Sequence, residues 1–342
     1  MVSKHMRRRT SVIVVLAAAL AVSTGYYFLR FFRAVPVPPA VPQRVFTVGV
    51  VTNPPSLDPA WQGFRQGMQA RGYEEGKNIR YIVAPGGKDL AAAKETVGRM
   101  VEQGVDAFYV MGSIGGRAAK EVTAGNTSPP PVIFGVVSNP VGGKLVASMQ
   151  SSGNNLTGVT PHNEVVVSKR LEIFLEIVPE TKRIIYPWSD PNTTGVQNVR
   201  ASAKALGVEL VEKRVADPAE LTSFLASFPF RRGDAILRAA DSVSGIAIKD
   251  IIALSLEKKI PVSGTNVQDT QFGALMSYGA NFFKIGVQAA RLADLVLKGA
   301  KPADIPIELP DALELVINLK TAEALGITIA TDVMSKANEI VR

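Results

Sequence analysis

Small polar residues stand at the ends of apolar runs throughout this chain. The run Asp106-Ala-Phe-Tyr-Val-Met111 leads into Gly112-Ser-Ile-Gly-Gly116, and Val132-Ile-Phe-Gly-Val-Val137 leads into Ser138-Asn-Pro140; Gly153-Asn-Asn-Leu-Thr-Gly158 closes the stretch. The same placement yields Ser56, Asp58, Ser113, Asn139, Asp190, Asn192, Asp241 with Ser242, and Tyr278. In an open parallel sheet, ligands bind outside the carboxyl ends of the strands. Ser113, beside the free N–H groups that open a helix, suits a carboxylate. Asp190 or Asp241 suits an ammonium. Singly, each of these residues is an ordinary cap or turn residue. As a set they describe a polar cleft for a small molecule, with Ser113 and Asp241 facing each other across it. Tyr186 and Trp188 either wall an apolar side chain or belong to a core.

Patterns for catalysis and cofactors are missing. The two histidines, His5 and His162, cannot make a metal cluster. There is no cysteine, hence no disulfide, thiolate nucleophile, thiolate metal site or lipid-modified cysteine. H-E-x-x-H, the P-loop and G-x-S-x-G are absent from the sequence. Gly112-x-x-Gly115-Gly116 has the wrong spacing for a dinucleotide fingerprint, and no acid ends the next strand to hold a ribose. No cofactor, no metal and no catalytic residue are expected.

The elements that must position these residues alternate strand and helix from Arg44 onward. Strands are expected at 45–52, 79–83, 106–111, 132–137, 182–186, 208–213, 234–237, 260–263, 274–277 and 313–317. Helices are expected at 60–71, capped by Asp58, and at 88–103, 117–125, 164–178, 196–206, 218–227, 244–259, 281–298, near 321–325 and at 332–341. Alternation of this kind argues for parallel sheets covered by helices on both faces. The pattern restarts after about residue 160, so two lobes of similar design follow, with a ligand cleft between them. A chain of 342 residues is long enough for both.

The net charge of +8 is concentrated at one end. Residues 1–33 carry six of the 38 basic residues and no acid, which leaves 32 basic residues against 30 acids. No basic face for nucleic acid is expected. Basic residues to Arg9 precede the apolar run 12–22, the pattern of a signal peptide that leads the rest of the chain out of the cytoplasm. Ala19-Leu-Ala21 offers a cleavage site, while the apolar continuation to Phe32 allows residues 11–32 to remain as an inner-membrane anchor. Met1 or Met6 can serve as the start. Residues 34–43, rich in proline, make a semi-rigid spacer.

Several stretches carry a family resemblance. They are Gly49-Val-Val51, Leu57-Asp58-Pro59, Gly63-Phe64 and Gly72-Tyr73-x-x-Gly76-Lys-Asn78. Later come Val137-Ser-Asn-Pro140, Asn155-Leu-Thr-Gly158-Val, Gly273-Ala274-Leu and Phe282-Phe-Lys-Ile-Gly286. The run from Leu297 to Pro306 and Ile317-Asn-Leu-Lys-Thr-Ala-Glu-Ala-Leu-Gly326 end the series. Over roughly residues 45–330, in order, the chain resembles the extracytoplasmic solute-binding proteins of ABC transporters, in the branch that includes tryptophan- and tyrosine-binding members. The resemblance implies an α/β fold of two Rossmann-like lobes (type I periplasmic-binding-protein fold) joined by three crossings and preceded here by an N-terminal apolar helix. It implies ligand capture by hinge closure and delivery to a permease. The lobe bounds it suggests are 44–161 with about 279–310, and 162–278 with about 311–342.

Departures from the family pattern fall on the cleft. Ser113-Ile-Gly-Gly116 stands where the family commonly has Thr-Pro-Ala-Ala, and Asn139-Pro140 where it has Asp-Pro. Tyr186-Pro-Trp-Ser-Asp-Pro-Asn-Thr193 replaces Tyr-Asn-Pro-Gly-Glu-x-Asn-Ser, and Asp241-Ser242 replaces Asp-Asn. An aromatic amino acid therefore does not follow as ligand. The reading is a monomeric solute-binding protein on the extracytoplasmic face. It takes a zwitterionic or carboxylated small molecule, meets an ABC permease, and touches the membrane only through its N-terminal segment. A receptor module of the same fold on an uncleaved anchor is the second class, and an enzyme the third.

Overall fold

Continuous apolar runs become strands buried on both faces, as parallel sheets require. The computed structural model describes residues 44–52, 55–87, 89–191 and 195–342; the expected apolar N-terminal helix, the proline-rich spacer and Asn192 lie outside the described residues. The first lobe alternates β1 (Phe46–Thr52), α1 (Asp58–Gln69), β2 (Ile79–Pro85), α2 (Leu90–Glu102), β3 (Ala107–Met111), α3 (Gly112–Thr123), β4 (Val132–Gly135) and β5 (Leu156–Val159). Its five strands are all parallel, in the order β2-β1-β3-β4-β5.

The second lobe opens with α4 (Asn163–Ile177), β6 (Arg183–Trp188), α5 (Val196–Ala205), β7 (Glu209–Arg214), α6 (Pro218–Ser227) and β8 (Asp234–Leu237). It continues with α7 (Ser242–Ile246), α8 (Ile248–Lys258), β9 (Val262–Gly264), α9 (Val267–Phe272) and β10 (Met276–Ala280). Then α10 (Phe282–Leu297) returns to the first lobe. The chain finishes on the second with β11 (Leu313–Asn318), α11 (Leu319–Leu325), α12 (Thr331–Ser335) and β12 (Glu339–Val341). The second sheet runs β12-β11-β10-β9-β8-β6-β7 and is parallel except where β10 meets β11.

Glycine fixes the return of α10. A Cβ on Gly63 of α1 would lie 1.9 Å from the Phe283 carbonyl oxygen, and one on Gly286 would lie 2.0 Å from that of Ala60. Only bare backbone lets α1 and α10 approach this closely. Phe64, stacked on Tyr109 with centroids 4.0 Å apart, then joins Ile285 and Ala289 in one core. Burying a side chain such as Phe64 contributes about 1.5–3 kcal/mol.

Several expectations need correction. The 332–341 helix is instead the short α12 followed by the edge strand β12, which pairs with β11. The 244–259 helix is two, because the chain breaks at Ala247. The helix expected at residue 117 begins at Gly112, whose φ of +75° turns strand directly into helix. Asp58 does not cap α1; it is the first helical residue, and Leu57 holds the cap position without a side-chain bond. The strand expected to reach Val137 stops at Gly135, because Val136 adopts φ +60°. That conformation is rare for a β-branched residue and costs about 1–3 kcal/mol, a kind of strain that clusters at functional sites.

Candidate functional site: a cleft between the lobes

The carboxyl ends of both sheets face one another and enclose a cavity of about 250 Å³. The first lobe supplies Ser56 and Leu57 from the turn before α1, and Gly112, Ser113 and Ile114 from the opening of α3. Val136 and Ser138 come from the end of β4, and Phe282 from the start of α10. The second lobe supplies Ser189 and Asp190 after β6, Ala216 after β7, and Arg238, Ala240 and Asp241 after β8. Thr265 and Asn266 follow β9, and Asn163 opens α4. The lobes touch here: the Ser138 hydroxyl donates to the Ala240 carbonyl at 3.3 Å, and Asn163 Nδ2 donates to Ser138 Oγ at 3.4 Å.

Ser56, Ser113, Asp190 and Asp241 thus come together on one cavity, with Ser113 and Asp241 on opposite lobes. Asp58, Asn139 and Tyr278 do not line it. Asp58 is exposed on α1. Asn139 Oδ1 accepts the Gly142 N–H at 2.8 Å and so closes a turn. The Tyr278 ring packs on the second-lobe core, while its carbonyl accepts Arg170 Nε at 2.8 Å. Tyr186 is fully buried in that core, and Trp188 packs against it with its indole N–H donated to Glu212 at 3.2 Å, so neither walls the cavity.

Asp241 has two tasks. Its Oδ1 accepts the Ser244 N–H at 2.8 Å and caps α7, and its Oδ2 accepts the Ser189 N–H at 2.9 Å and hydroxyl at 2.8 Å. Oδ1 keeps acceptor capacity, since a carboxylate oxygen carries two lone pairs. On the facing lobe, α3 has no side-chain cap, so the N–H groups of its first turn lie at the cavity wall.

Arg238 was not expected. It is 4% exposed, and its Nη1 donates to Asp269 Oδ2 at 3.0 Å and to the Thr265 hydroxyl, while Nε reaches the Ser244 carbonyl at 3.5 Å. Asp269, fully buried, also accepts the Thr265 N–H at 2.6 Å. A charge placed directly after the apolar strand β8 was the available signal, and it stood three residues before the aspartate that drew attention. Asn163, Thr265 and Asn266 were missed as well. Among the described residues no group of three or more His, Cys, Asp or Glu could hold a metal ion, and no helix is long and apolar enough to cross a membrane.

Residues 46–341 match the profile of the ABC transporter substrate binding protein family. The chain belongs to that family. A tyrosine-binding protein of Clostridioides difficile (strain R20291) is 27% identical over 286 residues, which cover 83% of this substrate-binding protein and 81% of the relative. A conserved domain protein from Vibrio cholerae is 28% identical, with a TM-score of 0.78 over 87% of this chain and 99% of that one. An ABC domain from Streptococcus pneumonia in complex with L-Trp is 24% identical, with a TM-score of 0.79 over 87% and 100% of the two chains, and so shares the fold. The substrate-binding protein is thus a binding protein, not an enzyme, built as the two-lobe periplasmic-binding fold.

Proposed function

We propose that this substrate-binding protein captures a small zwitterionic or carboxylated solute, amino-acid-like in its head group, by closing two lobes on it, and passes it to an ABC permease on the extracytoplasmic face. The lobes that move are residues 44–161 with about 279–310, and 162–278 with about 311–342. The observation that carries this reading is that complementary groups from the two lobes line one small cavity: Ser113 at the opening of α3 on the first lobe, and Asp190 and Asp241, with Arg238 beside them, on the second. The solute carboxylate meets the N–H groups and hydroxyl at Ser113 on the first lobe; the ammonium meets Asp241 on the second. A volume of about 250 Å³ lies just below the usual range of ligand sites, about 300–1,000 Å³, and so suits a small solute. The tyrosine-binding and L-Trp-bound relatives support an amino acid head group. A thermal-shift panel of amino acids, small carboxylates and neutral sugars tests the reading. A zwitterion at about a hundredfold its Kd should stabilise the fold by about 2.7 kcal/mol. A response to neutral sugars alone would overturn it.

A further inference from the structure

The cleft does not end at the central cavity. A second hollow of about 300 Å³ opens beside it, and Gly112, Ile114, Ala216, Ser242 and Val243 line both, so the two adjoin. Their walls differ in chemistry. The central cavity holds Arg238, Asp190 and Asp241 with several hydroxyls. The second is walled by Val51, Leu90 and Met111 of the first lobe and by Pro218 and Ile246 of the second. Ile246 leaves 50% of its surface exposed, at the end of the short helix that Asp241 caps. Two acids stand at this hollow, and both are committed to helix caps: Asp89 accepts the Ala92 N–H at 2.9 Å and Asp217 the Glu220 N–H at 2.8 Å. Both lobes contribute wall, so closure that grips a head group in the centre also forms the apolar chamber.

We infer that the solute has two parts: a zwitterionic head in the central cavity and an extended apolar tail that runs into the second chamber. The class is an α-amino acid whose apolar side chain outgrows the central cavity. This rests on the amino-acid-like reading above. A chamber of apolar wall stabilises each added methylene by removing it from water, and the ammonium and carboxylate stay with Asp241 and with Ser113.

Titration calorimetry on the full chain with alanine, norvaline, norleucine, aminooctanoate and aminodecanoate tests this. Affinity should rise about fourfold per methylene and keep rising beyond norleucine. Ile246→Glu, on an exposed position, should weaken aminodecanoate about tenfold more than norvaline. Affinity that levels off or falls beyond norleucine overturns the chamber but leaves the head-group reading standing. An Ile246→Glu variant that weakens both ligands equally also overturns the chamber. Failure of every zwitterion to bind removes both.

Discussion

At the scale of single residues, Asp241 and Glu164 are the most informative side chains. Asp241 caps α7 and holds Ser189, yet lines the cavity, so Asp241→Ala separates two roles. Loss of the cap should cost about 1 kcal/mol of stability. Loss of a charged hydrogen bond to the solute should weaken binding roughly ten- to a hundredfold, because such bonds contribute about 1.5–3 kcal/mol. Melting point and affinity measured on the same variant distinguish these; a lowered melting point with unchanged affinity removes Asp241 from ligand contact. Glu164 sits beside the first crossing between lobes. Burial pushes its carboxyl above the ordinary value of 4.5, and Oε2 is buried without a hydrogen-bond partner. His162, with Nε2 3.4 Å from Oε1, only partly offsets this. A raised folded-state pKa means that the protonated carboxyl stabilises the fold, fully below 4.5 and progressively less as pH rises through the folded value. The melting point of Glu164→Gln relative to the parent should therefore rise with pH across that range. A difference that is flat with pH would show that Glu164 titrates as if unfolded.

At the scale of elements, the α1–α10 contact decides whether the first lobe closes on itself. Gly63→Ala should cost at least about 1–3 kcal/mol, because its methyl would overlap the Phe283 carbonyl. Gly98→Ala in α2 has no neighbour within 4 Å and should stabilise by about 0.4–1 kcal/mol. Urea denaturation of the two variants reads the contrast, and equal effects would contradict the packing account. Most strands were legible because an apolar run such as Ala-Phe-Tyr-Val-Met at 107–111 has no polar face to hide. The strands β5 and β12 and the helix α9 were not. Each is only a few residues long, and tertiary pairing rather than local pattern holds it: β12, three residues, exists through β11, and Asn266 caps α9 through the Gln268 N–H at 3.0 Å. In the site, cap-type residues at strand ends were legible as a set. Sequence could not say which end of Asn139 or Tyr278 would face solvent, turn or core, since that depends on where the chain leaves the strand.

At the scale of the whole molecule, the chain crosses between lobes around residues 160–162, 280–281 and 309–312. Arg170 ties two of these crossings to the cavity floor. It is fully buried, donating from Nε to the Tyr278 carbonyl at 2.8 Å and from Nη2 to Asn163 Oδ1 and the Thr265 carbonyl, both at 3.2 Å. Burial lowers its pKa to about 10, so it remains charged at neutral pH. Arg170→Met leaves three buried acceptors without their donor and should cost at least about 2 kcal/mol, read by urea denaturation; a neutral outcome would show that these acceptors find other partners.

In the proposed function both ends of one zwitterion are held across the cleft, so that only the closed form makes both contacts. Titration calorimetry with the best-bound amino acid, its methyl ester and its N-acetyl derivative tests this most directly. Blocking either end should weaken binding by at least about tenfold, the loss of one charged hydrogen bond. Blocked derivatives that bind as tightly as the parent amino acid would contradict it.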